Sequence, residues 1–312
     1  MTPPAATTPP QRPQIDDDPF DAPDSPAPSE GGQRRRRSSG GHRGRLLVVG
    51  AKGGGVGKTT VATHMAERIA MKGISTCLID YDRSQGDVRK RLNLQGPTMS
   101  EVVLRWDGHP DRLAEFVVVP TDRGLHAHYI LGPRTGMLGA ATVVSDIDYG
   151  EVIDAALSMY EVVVVDTHPL DASLDDEQFS TTLLPRLIGN PSGTIVVVSD
   201  WDRAKAWNAL EWTARLEETG VSTSRIAVLF NEHDADGERG MEKDALLSRF
   251  RSALVLDPLP ESSEVATANN QHRLGFADRA YTAAIDAALY QILGDETFVP
   301  EQVKKSRWWK RG

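Results

Sequence analysis

The chain has 312 residues, of which 39% are hydrophobic and 25% charged, a balance typical of a soluble globular protein and unlike that of a fibrous or wholly disordered chain. Its formal charge of −9 and its pI near 5.4 argue against a general nucleic-acid-binding domain, so any nucleic-acid contact has to be local. The sequence begins without the basic and apolar stretches of a signal peptide, and it has no apolar run of the roughly 18 residues that span a membrane. Its single cysteine, Cys77, is expected in the core. We therefore predict a cytoplasmic protein without internal disulfides.

Residues 1–44 are rich in proline, serine, glycine and aspartate, and they include a basic run from Arg34 to Arg37. This segment has too little apolar surface to offset the entropy of ordering it, so we predict a disordered arm. The arginine run is either a solvated tether or a contact to a membrane, a nucleic acid or an acidic partner.

From Arg45 onward, short β-branched runs alternate with amphipathic segments, which is the pattern of a parallel sheet with crossover helices. We therefore predict an α/β domain over residues 45–294, with a mostly parallel sheet and helices on both faces. Strands are expected at residues 46–49, 76–80, 116–119, 162–166, 194–199 and 226–230. Helices are expected at residues 59–72, 202–219 and 277–293, and each is followed by a glycine at the position of a left-handed C-cap (Gly73, Gly220 and Gly294).

The most specific pattern is a glycine-rich loop, KGGGVGKTT, that runs from Lys52 to Thr60 between the first predicted strand and the first predicted helix. A phosphate chain can lie against backbone N–H groups only where side chains are absent, and the helix N-terminus adds partial positive charge. Lys58 is placed to reach the β- and γ-phosphates, and the hydroxyl of Thr59 to ligate Mg²⁺. The sequence thus predicts a phosphate-binding loop made by Lys52, Gly53, Gly54, Gly55, Gly57, Lys58, Thr59 and Thr60.

A lysine directly before these glycines resembles the deviant Walker A loop, Lys-Gly-Gly-x-Gly-Lys-Thr/Ser, of the MinD/ParA ATPases. The resemblance implies a P-loop NTPase-like fold and a catalytic role for Lys52, which would reach across a dimer to the partner's nucleotide. Here five residues, rather than four, separate Lys52 from Lys58. Either the loop bulges by one glycine, or Lys52 does not occupy the signature position.

Two predicted strand ends resemble the same family. Residues 78–82, LIDYD, are similar to its strand-end Asp-x-Asp, which implies that Asp82 orients or deprotonates the attacking water. Residues 162–169, VVVVDTHP, are similar to its Walker B strand and switch, which implies that Asp166 holds a water on Mg²⁺. Independently, a carboxylate at the exit of a buried parallel strand lies at the ligand-binding edge of such a sheet, although either aspartate alone could be a helix N-cap. His168 is either a γ-phosphate sensor or an ordinary loop histidine.

Two further stretches extend the resemblance towards the C-terminus. Asn231 ends a strand similar to the one that carries an adenine-contacting asparagine, and an amide can read the adenine edge through both its donor and its acceptor. Pro260 lies in a stretch similar to the Ile-Pro-x-x loop that closes over base and ribose. Because no Thr/Asn-Lys-x-Asp guanine motif occurs near Asn231, ATP is expected rather than GTP.

The resemblance implies an ATP-binding and ATP-hydrolysing molecular switch that forms a homodimer with ATP and positions or partitions cargo, with an unidentified activating partner. The proline-rich arm, together with the layout after Asp200, also resembles MinD-like ATPases associated with actinobacterial type VII secretion systems, which implies a regulatory role there as the alternative. A metabolic ATP-dependent ligase of the same superfamily and a nucleotide-binding module without hydrolysis are the alternatives. An iron protein of the nitrogenase type is disfavoured, since one cysteine per subunit is expected in a buried strand.

Residues 295–312 form a C-terminal tail, in which residues 303–311 carry five basic side chains around Trp308 and Trp309. The layout resembles the membrane-targeting tail of MinD. It predicts a weak contact with an anionic membrane at the inner surface, made effective when two copies act together in a dimer. The alternative is a tail whose tryptophans fold back on the domain or meet a protein partner.

Overall fold

The structure, a computed structural model, describes residues 44–83, 86–134, 144–170, 179–231, 243–250 and 253–299. Within these residues seven strands form one parallel sheet in the order β3-β2-β4-β1-β5-β6-β7. They are β1 (Arg45–Gly50), β2 (Thr76–Tyr81), β3 (His128–Ile130), β4 (Val162–Thr167), β5 (Thr194–Ser199), β6 (Ile226–Phe230) and β7 (Leu254–Val255). The predicted parallel sheet is confirmed.

One predicted strand was wrong. Residues 114–116 form a turn of 3-10 helix, and Val118 makes only an isolated antiparallel bridge to Tyr129. The strand beside β2 is β3 instead. The apolar run at residues 116–119 resembles a buried strand because Phe116 and Val118 are buried in the core, although neither belongs to the sheet.

Along the chain, the α-helices of the described residues lie between the strands, except for the last two, which follow β7. They are α1 (Lys58–Met71), α2 (Asp87–Leu92), α3 (Met99–Arg105), α4 (Pro110–Leu113), α5 (Asp146–Met159), α6 (Leu184–Gly189), α7 (Arg203–Glu218), α8 (Lys243–Leu247), α9 (Ser263–Asn270) and α10 (Arg279–Leu293). The three predicted helices correspond to α1, α7 and α10. Gly73, Gly220 and Gly294 have φ angles of +81°, +96° and +65°, as expected for glycines that end helices.

Each face of the sheet is covered by its own apolar cluster. Because side chains alternate along a strand, Leu46 and Val48 belong to one cluster and Leu47 and Val49 to the other. The first cluster includes Trp212 of α7 and Tyr149 of α5. The second includes residues of α1 and α10. The prediction of helices on both faces is thus confirmed. The buried strands β1, β2, β4, β5 and β6 end at one edge of the sheet, which we call the site edge.

Cys77 is fully buried in the first cluster, as predicted, and burial raises the pKa of its thiol. Among the described residues no helix is both long and apolar enough to cross a membrane. The predicted arm, apart from Gly44, and the basic tail from residue 300 onward lie outside the described residues.

Candidate nucleotide-binding site

The loop between β1 and α1 has the backbone of a phosphate cradle. Gly55 and Gly57 have φ angles of +77° and +87°, a region that residues with a side chain rarely adopt. A Cβ atom built on Gly53 or Gly55 would meet nothing within 4 Å, so the outer side of the loop is open. No described side chain caps the N-terminus of α1, and its first N–H groups are therefore available to an anion.

Lys58 places a buried cation in this cradle. It is the first residue of α1, is 7% exposed, and its Nζ atom donates a hydrogen bond to the carbonyl oxygen of Gly53 at 3.2 Å. Burial lowers the pKa of Lys58, whereas the nearby Asp166, Asp82 and Asp87 act to raise it. An ammonium folded back over the glycines is suited to balance the charge of a phosphate chain.

Asp166, in β4, brings a carboxylate to the same place. It is 1% exposed and accepts a hydrogen bond from the Thr59 side chain, while its Oδ1 atom has no hydrogen-bond partner among the described residues. Burial raises the pKa of Asp166 to about 7, and the hydrogen bond from Thr59 and the charge of Lys58 oppose that rise. A buried acceptor without a partner costs about 1–3 kcal/mol, so this oxygen favours a bound donor or cation.

The oxygen donors of Thr59 and Asp166 fit Mg²⁺, which takes hard oxygen ligands. In the part of the chain that the structure describes, no group of three or more His, Cys, Asp or Glu side chains could hold a metal ion by itself. An ion bound here would therefore complete its shell with water and phosphate oxygens, which is the usual arrangement for Mg²⁺ in nucleotide sites.

Three carboxylates meet at the neighbouring ends of β2 and β4. Asp80 pairs with Asp166 in the register of the two strands, and Asp82 follows β2 directly. Asp80 is fully buried and Asp82 is 6% exposed. Burial, together with the charges of Asp166 and Asp82, raises the pKa of Asp80 well above its usual range. A cation bound beside these carboxyl groups would favour their ionised forms.

Lys52 lies at the start of the glycine loop and points to α7. Its Nζ atom lies 2.6 Å from Oε2 of Glu211, and the Lys52 side chain is 13% exposed. The hydrogen bond from Lys52 is the main reason why the pKa of Glu211 is lowered. Within one subunit Lys52 therefore forms an ion pair with Glu211 beside the loop. Its action across a dimer stays a prediction.

Asn231 follows β6 and is 3% exposed. Its Nδ2 atom donates to the carbonyl oxygen of Val56 at 3.1 Å, which ties the end of β6 to the glycine loop. A Cβ atom on Gly57 would lie 2.3 Å from that Nδ2 atom, so this contact also requires the glycine. The backbone N–H of Leu259 donates to the carbonyl oxygen of Phe230 at 2.8 Å and brings Pro260 towards the same strand end.

The comparisons with known proteins agree with this geometry. Residues 47–275 match the family described as CobQ/CobB/MinD/ParA nucleotide binding domain. The chain belongs to this family. No curated protein sequence matches the chain.

Solved structures of MinD and related proteins share its fold. MinD in the MinC:MinD cell division complex of Aquifex aeolicus has 17% identity and a TM-score of 0.63, over 80% of this chain and 96% of that chain. Pyrococcus horikoshii MinD, solved with Mg-ADP, has 14% identity and a TM-score of 0.61, over 81% and 96%. A Cyanothece McdA–ATP complex has 17% identity and a TM-score of 0.58, over 82% and 98%. At these identities the likeness establishes the MinD/ParA fold.

In this MinD/ParA family member, the predicted loop residues and Asp82, Asp166 and Asn231 lie around one edge of the sheet. Sequence reasoning missed Trp201, whose ring stacks on Phe230 with centroids 4.3 Å apart, immediately beside the strand end that carries Asn231. It also assigned no role to Asp80, although the Asp-x-Asp pattern contains it.

Proposed function

We propose that this protein binds ATP with Mg²⁺, hydrolyses it to ADP and phosphate, and uses the bound nucleotide to switch between a monomer and a homodimer. The observation that carries the proposal is the buried Asp166 carboxylate, which Thr59 binds and Lys58 faces, and whose Oδ1 atom has no hydrogen-bond partner among the described residues. The MinD/ParA family and neighbours solved with Mg-ADP and ATP support this choice of ligand.

We assign each site residue a role from its position together with the family resemblance. The N–H groups around Gly53 to Gly57, with Thr60 in the first turn of α1, would hold the phosphates, and Lys58 would balance their charge. Thr59 would ligate Mg²⁺ directly, and Asp166 would hold one of its waters. Asp82 would align the attacking water, while Asn231 and Pro260 would border the adenine. Mg²⁺ held by these residues would supply charge neutralisation, which phosphoryl transfer requires together with positioning.

The switch would act through association. Lys52, at the outer start of the loop, would reach the nucleotide of a second copy, so that hydrolysis weakens the dimer. A cargo or activating protein would recognise the ATP-bound dimer in spatial positioning or partition, as the MinC:MinD complex suggests by analogy. The tail at residues 303–311 would add a weak contact to an anionic membrane, strengthened by dimerisation.

Phosphate release and ATP binding, measured in Lys58→Ala and in the control Lys72→Ala, test the proposal. Lys58→Ala should abolish phosphate release, because it removes the cation that balances the β- and γ-phosphates. Lys72→Ala, at the exposed far end of the same helix, should behave like the wild type. Phosphate release that requires no acceptor acid would separate a switch from a ligase. Wild-type turnover in Lys58→Ala, or no Mg²⁺-dependent ATP binding, would refute the assignment.

A further inference from the structure

Asp80 is a fully buried carboxylate at the end of β2 that the proposed mechanism does not use. Burying a carboxylate is costly unless hydrogen bonds compensate, so its partners indicate what it does. Its Oδ1 atom accepts a hydrogen bond from the backbone N–H of Asp82 at 3.3 Å. Its Oδ2 atom accepts one from the backbone N–H of Val88 at 3.2 Å.

These two N–H groups stand on either side of the connection between β2 and α2. Asp82 is the first residue after β2, and Val88 lies in the first turn of α2. The N-cap of α2, Gly86, offers no side-chain hydrogen bond, so Asp80 satisfies an N–H group that a cap residue would otherwise reach. One carboxylate therefore holds both ends of the segment that carries Asp82.

The opposite side of this carboxylate is closed by the chain that follows β3. A Cβ atom on Gly132 would lie 3.0 Å from Cγ and Oδ2 of Asp80. A Cβ atom on Gly86 would lie 2.8 Å from the carbonyl oxygen of Pro133. The hydroxyl of Tyr149, in α5, donates to the carbonyl oxygen of Asp80 at 3.2 Å. The carboxylate thus has a shaped slot, with little room to change its orientation.

We propose that Asp80 is a positioning residue that fixes Asp82 at the site edge by holding both ends of the β2–α2 connection. This inference rests on the proposed function, in which Asp82 aligns the attacking water. The Asp80 side chain suits the task because each of its two oxygens accepts from one backbone N–H, whereas an amide would turn its N–H₂ group towards one of them. A displacement of about 1 Å in a catalytic group can reduce the rate by about 100-fold, so a loose Asp82 is expected to affect turnover more than binding.

Two variants disturb the hold of Asp80 on the β2–α2 connection in different ways. Asp80→Asn removes one acceptor at nearly constant volume. Gly132→Ala leaves every polar group in place and adds a methyl group 3.0 Å from the Asp80 carboxylate. Gly189→Ala is the matched control, because a Cβ atom there would meet nothing within 4 Å. ATPase kinetics, mant-ATP binding with Mg²⁺, melting temperature and hydrogen exchange are measured on the full chain.

We expect kcat to fall at least about tenfold in Asp80→Asn and Gly132→Ala, with KM and mant-ATP affinity within about threefold of the wild type. Amides of residues 82–90 should exchange faster, while those of β4 and β5 should keep their protection. A merely structural role would lower protection across the sheet and would not separate kcat from KM. Gly189→Ala should match the wild type in every measurement.

Wild-type kcat in both variants would overturn the inference while leaving the proposed function intact. A lower kcat with unchanged exchange at residues 82–90 would also overturn it, because Asp80 would then act otherwise than by holding this segment. Should Asp80→Asn fail to fold, kcat and the hydrogen exchange of residues 82–90 in Gly132→Ala decide the question. Should the wild type release no phosphate, the proposed function fails, and the exchange of residues 82–90 alone decides whether Asp80 holds the segment.

Discussion

His64 should make this protein lose stability in mild acid. It is fully buried in α1, where its Nδ1 atom lies 2.7 Å from the carbonyl oxygen of Thr60 and its Nε2 atom accepts from the backbone N–H of Gly275 at 3.3 Å. The ring is therefore neutral, with its proton on Nδ1. A second proton would put a charge in a dry site and would face the N–H of Gly275. Burial lowers the pKa of His64 from 6.5 to about 4, against the opposing effect of the bond to Thr60.

The sign and size of the effect follow from this pKa shift. Between pH 6.5 and about 4 the unfolded chain binds a proton at His64 that the folded protein does not bind. The stability present above pH 6.5 is therefore lost as the pH falls, at about 1.4 kcal/mol per pH unit. From pH 7 to pH 5 the loss is about 2 kcal/mol, or about 4–8 °C in Tm for a domain of this size.

Thermal melts of the wild type and His64→Gln between pH 7 and pH 5 test the reasoning. Glutamine keeps one donor and one acceptor without titrating, so the variant starts less stable, from lost contacts with Phe276 and Tyr281, but should lose about 2 kcal/mol less on acidification. His109→Gln, which removes an exposed imidazole, should follow the wild type. An equal loss of stability in wild type and His64→Gln would refute the assignment of the buried neutral ring.

Three further predictions concern the switch. Asp82→Ala should bind ATP, hydrolyse it poorly and accumulate as a dimer in gel filtration with Mg²⁺; a strictly monomeric variant would count against the switch. Lys52→Ala should keep ATP binding and lose ATP-dependent association. Unchanged association would show that, with the extra glycine in the loop, Lys52 takes no part in dimer formation. Deleting residues 303–312 should abolish ATP-dependent co-sedimentation with anionic liposomes, whereas equal pelleting of the wild type with ATP and with ADP would rule out the tail as an anchor.

The sequence was most informative where function depends on local pattern. The glycine loop, the strands β1, β2, β4, β5 and β6, and the glycines after α1, α7 and α10 all follow from short-range periodicity and backbone preference. The aspartates were located by a related rule, since parallel strands end at one edge of the sheet. These features need no knowledge of which elements pack together.

The remaining features depend on contacts between distant parts of the chain. His128–Ile130 is a strand because β2 offers it a partner, and not because three residues carry a pattern. The bond from Asn231 to Val56 joins residues 175 positions apart, and the pair of Lys52 and Glu211 spans 159 positions. His64 sits among apolar neighbours of α1, where spacing alone gives it no distinct role. Tertiary packing decides each of these cases.

The pair formed by Lys52 and Glu211 bears on how an extra glycine can be compatible with action across a dimer. Glu211 is 53% exposed on α7, and pairs of such exposure are held weakly because water screens them. A bound triphosphate of a second copy would carry several negative charges, against one on Glu211, and would attract the same ammonium more strongly. The weak pair within the subunit therefore keeps Lys52 beside the loop without fixing it there. If the loop bulges by one glycine, the open space around Gly53 and Gly55 leaves room for the backbone shift that would bring Lys52 back into reach.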